Sequence, residues 1–370
     1  MTESELLDAL RLNSVAGLGP RLQTALRQVL GTPSQVLAAS GAQLLSVEGI
    51  GAKLSAAITQ AAGDQTCAAE LQACRDRGMS IEILGSPDYP QPLADICDPP
   101  QVLYRWGNYL PQDELAVAIV GSRRATLYGR QIAEKLGASL ARAGVSVVSG
   151  LARGIDACAH RGALGAGGRT LAVLATGLAN IYPPEHVGLA AEVSRQGALF
   201  SEAPLHRGAL KGMFPQRNRV ISGLCRGVII VEAGRQSGAL HTARHALEQG
   251  REVFAVPGRI DSPESAGCHD LIRDGVTLLR TVDDVLEGLG PLPQAVTHTG
   301  EHTVLTPREL TLNDQEREVL ELIPVTPVLL DDVLAQSSLE PPRVLATLTV
   351  LEMKRLVRRL PGGQFVRVSH

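Results

Sequence analysis

Four stretches in the middle of this 370-residue chain combine glycines, hydroxyls and cations in a way that suits an anion. The first is Ile119-Val-Gly-Ser-Arg-Arg124, a strand end running into a turn before a helix. There the backbone N–H groups around Gly121, the Ser122 hydroxyl and the Arg123 guanidinium are all phosphate donors. The stretch is neither G-x-G-x-x-G nor a P-loop, so neither a dinucleotide nor a nucleoside triphosphate is indicated. The alternative is a tight turn with solvated arginines. The second stretch is Ser149-Gly-Leu-Ala-Arg-Gly-Ile-Asp156, with His160 one turn on. Gly150 and Gly154 allow a close backbone approach, and Arg153 either meets a ligand or pairs with Asp156.

The third stretch carries the most information. From Ala203 to Gly227 there is no acidic residue, while Arg207, Lys211, Arg217, Arg219 and Arg226 occur together around Phe214. In a chain with only four phenylalanines and one tryptophan, such a ring among cations in a Gly/Pro-punctuated loop suits a single-stranded nucleic acid. Cations meet phosphates and a ring face meets a base. A lone Phe is otherwise a core residue. The fourth stretch, Val231-Glu-Ala-Gly-Arg-Gln-Ser-Gly-Ala-Leu-His-Thr242, offers Ser237 and Gly238 in a second small-residue loop ahead of a helix.

Catalytic patterns are thin by comparison. His241 and His245 are four apart but lack the glutamate of H-E-x-x-H, so a metal site is not expected. There is no G-x-S-x-G elbow. Glu232 and Asp156 could in principle form a carboxylate pair, but the sequence gives no distance between them. The expectation is a binding protein with no cofactor rather than an enzyme. The net charge of −3 means that a nucleic-acid partner must meet a local basic patch. Six scattered cysteines without a C-x-x-C pair read as reduced thiols. The acidic N-terminus lacks an apolar signal region, and no run approaches the length of a membrane span. A cytoplasmic location follows as the expectation.

The elements that must position these loops alternate from Leu115 onward. Apolar runs at Leu115–Val120, Val145–Ser149, Thr170–Leu174, Ala198–Ser201, Gly227–Val231, Glu252–Ala255 and Val276–Leu279 read as strands buried on both faces. Helical stretches separate them, including Tyr128–Ala143, Leu240–Gln249 and Asp283–Leu289. The fold class is therefore α/β, a Rossmann-like, doubly wound, mostly parallel sheet, whose ligands lie beyond the carboxyl ends of the strands. Before it, residues 1–70 read as a small helical domain. Two turns, Val15-Ala-Gly-Leu-Gly-Pro20 and Val47-Glu-Gly-Ile-Gly-Ala52, each open a helix and resemble helix-hairpin-helix units. Residues 71–290 form the core and 291–312 a linker. Residues 313–370 give three helices and a Pro361-Gly-Gly363-turned hairpin, a winged helix. That segment carries eight acids against seven bases, which favours a protein-contact or weakly DNA-contacting module over a duplex-DNA reader.

The chain resembles the DNA processing protein A family, DprA or Smf. The resemblance rests on Gly121-Ser122-Arg123, Gly150–Asp156 with His160, Phe214–Leu224, Glu232–Ala243 and Val253–Gly258, in that order. One position departs from it: His269 stands where the family usually has Asn. The resemblance implies a core that binds single-stranded DNA and forms a homodimer. It also implies a role in natural transformation, protecting incoming strands and loading RecA recombinase onto them. Its DNA contacts fall on Ser122, Arg123, Lys211 and Phe214, to which the loop reading adds Gly121, Arg153, Arg217, Arg219, Ser237 and Gly238. The rival reading is a phosphoribohydrolase-type enzyme, whose glycine-rich loop carries a catalytic Glu. The comparable stretch here, Gly234–Arg244, has no carboxylate.

Overall fold

The computed structural model describes residues 2–210, 212–290, 296–298, 302–304 and 306–368, in two compact units, Met1–Leu278 and Leu279–His370. The first unit opens with six helices: α1 (Glu3–Ser14), α2 (Pro20–Leu30), α3 (Pro33–Ala38), α4 (Gly41–Leu45), α5 (Ala52–Ala61) and α6 (Thr66–Arg75). The two glycine turns read from the sequence form a matched pair. Gly17 and Gly49 take φ of +87° and +86°, a region that side chains rarely enter. Leu18 N and Ile50 N donate to Val15 O and Val47 O, both at 3.1 Å, and Gly19 and Gly51 then start α2 and α5. Each turn packs against the other's helix, Gly17 on Leu54 and Gly49 on Leu22. Leu12, Leu18, Leu26, Leu44 and Ile58 fill the core between them.

A nine-stranded sheet follows: β1 (Met79–Ile83), β2 (Val102–Gly107), β3 (Ala116–Val120), β4 (Ser146–Ser149), β5 (Thr170–Leu174), β6 (Ala198–Ser201), β7 (Gly227–Ile230), β8 (Glu252–Ala255) and β9 (Thr277–Leu278). Its order is β1-β2-β6-β5-β4-β3-β7-β8-β9. Strands β3 to β9 pair in parallel, and β1 and β2 add an antiparallel edge beside β6. This is the expected mostly parallel sheet, and each of the seven expected strands ends within one residue of its predicted bounds.

The helices around the sheet are α7 (Gln91–Ala94), α8 (Leu127–Arg142), α9 (Ile155–Gly165), α10 (Val187–Gln196), α11 (Met213–Gly223), α12 (Ala239–Glu248) and α13 (Ala266–Arg273). Alternate strand residues serve the two faces, as a period of two requires. Leu171, Val173 and Phe200 meet Val220, Ile221 and Ala243 from α11 and α12 on one face. Ala172, Leu174 and Leu199 meet Leu189 and Val193 of α10, with Leu6 and Leu71 from α1 and α6, on the other. All six cysteines are free thiols, five of them buried. Among the described residues no helix is long and apolar enough to cross a membrane.

The second unit contains α14 (Val282–Gly288), a ladder of β10 (Val296–His298) with β11 (His302–Val304), and α15 (Asp314–Glu321). It continues with β12 (Val328–Leu329), α16 (Leu330–Gln336), α17 (Pro341–Met353), β13 (Val357–Leu360) and β14 (Gln364–Arg367). The last elements are the expected winged helix, with the wing turning at Gly362 and Gly363, both at positive φ. Val319, Val333, Val344, Leu351 and Phe365 form its core.

Three details differ from the sequence reading. Helix α14, assigned to the core domain, groups with the second unit. The segment read as a linker lies partly outside the described residues, and its described part holds the ladder and a 3₁₀ turn at Pro307–Thr311. Glu309 of that turn accepts from Arg367 at 2.6 Å, a long-range pair that local composition does not reveal. Finally, the basic stretch around Phe214 is helical from Met213. Pro215 falls in the first turn, where no N–H is needed, and Val220, Ile221 and Leu224 give the helix a buried face.

Candidate nucleic-acid interface

The order of the sheet places the site. From β3 the chain moves through β4 and β5 to β6, then returns to lay β7 and β8 on the other side of β3. Such a reversal opens a crevice at the carboxyl ends of the two diverging strands. Here it is a cleft of about 780 Å³, lined by the turn after β3, the start of α11 and the loop after β7.

The turn after β3 is held from below. Ser122 N donates to the Glu232 carbonyl at 2.6 Å, and the Ser122 hydroxyl accepts from Arg124 N at 3.1 Å. The Glu232 carboxylate, buried, accepts from Thr126 N at 2.9 Å and from the Thr126 hydroxyl at 2.6 Å. Thr126 in turn caps α8 by accepting from Gly129 N. Arg123 and Arg124 are left exposed on this fixed base. The Arg123 guanidinium sits 4.8 Å from the centre of the half-buried Phe214 ring, within cation–π range. Tyr182 meets the same ring edge-on, with centroids 5.9 Å apart and planes at 64°.

Across the cleft, Ser237 N closes a turn on Gly234 O at 2.9 Å, and the Ser237 hydroxyl accepts from Ala239 N at 3.3 Å. Asn218 of α11 donates to Gly238 O at 3.1 Å, tying the two sides together. Gly121, Ser122, Arg123, Phe214, Ser237 and Gly238 thus line one cleft. Arg153 lies outside it, in a notch behind Phe214 with Tyr182, and pairs with Glu185. Lys211 lies outside the described residues.

Two further arginines of α11 are buried, and one of them requires correction. Arg219 does not reach the cleft: it is buried and bonded to the Glu202 carboxylate and, at 2.6 Å, to the Asp98 carbonyl. Arg217 lines the cleft, as part of its floor. It is 7% exposed, and its Nη1 donates to Gly150 O at 2.7 Å and to Val173 O. Gly150 leaves room for that guanidinium, since a Cβ would come within 2.4 Å of it and displace it. The helical period of α11 explains both positions: residues 217 to 223 are buried, whereas the sequence pattern suggested an open loop. Burial draws the Arg217 proton affinity down to about 10, with Asp156 opposing the shift.

Asp156 accepts from Gly150 N at 3.1 Å and Ala152 N at 3.4 Å, so it shapes the turn after β4. Burial pushes its carboxyl up, while Arg217 and those N–H groups pull it down. His160, fully buried, lies 2.7 Å from the Thr170 hydroxyl. Burial, His186 and Arg217 together lower its pKa to about 3, so it is neutral. His269, the departure from the family pattern, lies with Nε2 3.1 Å from Gly258 O and so braces the turn after β8. Sequence reading missed Tyr182, although Tyr182-Pro183 follows the β5 segment at the same rim that drew attention to the other loops. It also missed Asn218 and His241, which line the cleft.

Fold and site together define a Rossmann-like α/β protein with a basic, ring-bearing cleft at its topological switch point. Comparison with known proteins makes the class specific. The family model described as DNA recombination-mediator protein A matches residues 80–290, and the DprA winged helix domain matches residues 303–363. Protein Smf of Escherichia coli K12 is 42% identical over 288 residues, 76% of this chain and 75% of that protein. The X-ray structure of DNA processing protein A (DprA) from Streptococcus pneumoniae superimposes with a TM-score of 0.66 at 32% identity, covering 77% of this chain and 98% of that one. The structure of DNA processing protein A from Helicobacter pylori, solved for its single-stranded DNA binding mode, gives a TM-score of 0.52 at 31% identity, over 57% of this chain and 95% of that one. The chain belongs to the DNA recombination-mediator protein A family, DprA or Smf.

Proposed function

We propose that the cleft binds single-stranded DNA without acting on it chemically. The observation that carries this reading is the exposed Arg123 guanidinium on the Phe214 ring at the rim of a cleft walled by backbone turns. A strand needs cations for phosphates and ring faces for bases, and both are supplied within one side-chain length. The H. pylori relative, whose structure concerns its single-stranded DNA binding mode, supports the same assignment. Gly121, Ser122, Arg123, Lys211, Phe214, Ser237 and Gly238 form the proposed contact set. Arg153 extends it, and Arg217 serves as its support.

The absence of chemistry is proposed from the roles of the carboxylates. Asp156 is bonded to two backbone N–H groups, and Glu232 to Thr126. Neither is presented as a free acid or base. Membership of a recombination-mediator family further supports loading of RecA recombinase on the bound strand, a homodimer built on the Rossmann-like unit, and a cytoplasmic location.

The test is binding of a fluorescent oligothymidylate to the full chain and to its Arg123→Ala/Phe214→Ala variant. The variant should melt normally and lose affinity by about a hundredfold, one charged contact and one stacked base. Undiminished binding by a folded variant would remove this cleft from consideration. Release of free base from nucleoside monophosphates would overturn the non-enzymatic reading.

A further inference from the structure

We propose that the outward face of α17 and the wing beside it dock an acidic, apolar peptide segment of a partner protein. The inference concerns the second unit and stands apart from the strand-binding cleft. In this winged helix α17 occupies the place of a recognition helix. Val344, Thr347, Leu348 and Leu351 turn into the core. The opposite side carries Leu345, Ala346, Thr349, Val350 and Met353, all exposed, at the three- and four-residue steps of one helical stripe. Met353 is 80% exposed, Leu345 44% and Val350 37%.

Such a stripe does not suit base recognition. Base edges are read by Arg, Lys, Asn, Gln or free hydroxyls. Here the stripe offers the Thr349 hydroxyl, which donates back to Leu345 O at 3.0 Å. An apolar stripe along a helix suits an amphipathic segment laid against it.

The charge of the wing selects the partner. Residues 313–370 are nearly balanced, yet all eight acids precede Met353 and five of the seven bases follow it. The fold engages two of those five: Lys354 pairs with Glu316 at 2.7 Å and Arg367 with Glu309 at 2.6 Å. Arg355, Arg358 and Arg359 stay exposed, with no side-chain hydrogen bond or ion pair among the described residues. Arg355 takes a φ of +56° in the turn that ends α17, two residues beyond Met353. Arg355 and Arg358 also line a groove of about 470 Å³ with Glu352 of α17 and with Arg308, which Glu287 engages at 3.7 Å. Its lining thus carries three arginines against two glutamates. A nucleic-acid backbone would meet these cations but leave the stripe in water, and the wing's own ring, Phe365, is 5% exposed in the core. A peptide with carboxylates beside apolar side chains covers both features at once.

Three labelled probes test this on the full chain: an amphipathic peptide of leucine and glutamate, its leucine–lysine twin, and a DNA duplex. The leucine–glutamate peptide should bind and the twin should not. Val350→Ser/Met353→Ser should weaken the peptide about tenfold, the order of two apolar side chains partly covered. Arg355→Gln/Arg358→Gln should weaken it by about the same factor and flatten its salt dependence. All four side chains are exposed, so both variants should melt as the parent does and keep its affinity for oligothymidylate. No binding of the leucine–glutamate peptide, or binding that neither variant weakens, would overturn the proposal. Duplex binding that is lost in Arg355→Gln/Arg358→Gln and is not displaced by saturating peptide would also overturn it, and would give the wing to DNA.

Discussion

The turn after β3 and the basic stretch before β7 use the same residue type in opposite ways. Both looked like phosphate sites, and the second was the richer in cations. In the folded protein Arg123 and Arg124 remain exposed on a turn fixed by Glu232. Arg217 and Arg219 are instead bonded to backbone carbonyls and to Glu202, so they serve the fold. A guanidinium has five donors, and whether they face a ligand depends on which acceptors the tertiary fold brings near. Carbonyls at 150 and 173 and a carboxylate at 202 come from elsewhere in the chain, so a count of charges along α11 overstates its binding surface.

That contrast can be broken by substitution. Arg217→Ala should have the largest effect and act on stability. It leaves the buried Gly150 and Val173 carbonyls without their donor and removes a positive charge near buried Asp156, a change on the order of 3 kcal/mol. The melting temperature of the first unit should fall on the order of 10 °C. An unchanged melting curve would return Arg217 to the ligand-binding set. Arg123→Ala should do the reverse, with no thermal shift and a loss of oligothymidylate affinity of about 10- to 100-fold. If it melts early and binds normally, the two regions have been assigned the wrong way round.

The acid limb of stability tests the buried side further. His160 has a pKa of about 3 in the fold against 6.5 ordinarily. Below pH 6.5 the unfolded chain takes up a proton that the folded chain refuses. The stability that neutral His160 contributes is therefore complete above pH 6.5 and is lost as pH falls toward about 3. The slope in that window is about 1.4 kcal/mol per pH unit. His160→Gln should flatten this limb in denaturant titrations across the window, and a parallel limb would exclude His160 as its source. The smallest effect is in salt dependence. Each phosphate contact on a single strand contributes about 0.7 to the slope of log affinity against log salt. Arg123→Ala should reduce the slope by about that amount, whereas Arg219→Ala should leave it as it is. A reduced slope for Arg219→Ala would place that residue at the DNA.

The periodicity of the chain determined its elements. Continuous apolar runs at Thr170–Leu174, Ala198–Ser201 and Glu252–Ala255 became buried parallel strands with those bounds, because a strand covered on both faces has no polar side to show. Paired glycine turns and the Gly362–Gly363 wing were equally legible, since their positive φ values restrict residue choice locally. Strand order along the chain placed Gly121–Arg123 and Ser237 at strand ends, and the parallel fold makes strand ends one rim. Helix α11 was misread as a loop because its start is punctuated by Gly212 and Pro215 and its amphipathic face carries arginines. Only the tertiary structure decided which cations on that rim are free to meet a ligand, that Tyr182 stands beside Phe214, and that Glu232 and Asp156 hold turns. Those outcomes depend on acceptors and rings brought together from distant parts of the chain, which local residue patterns do not encode.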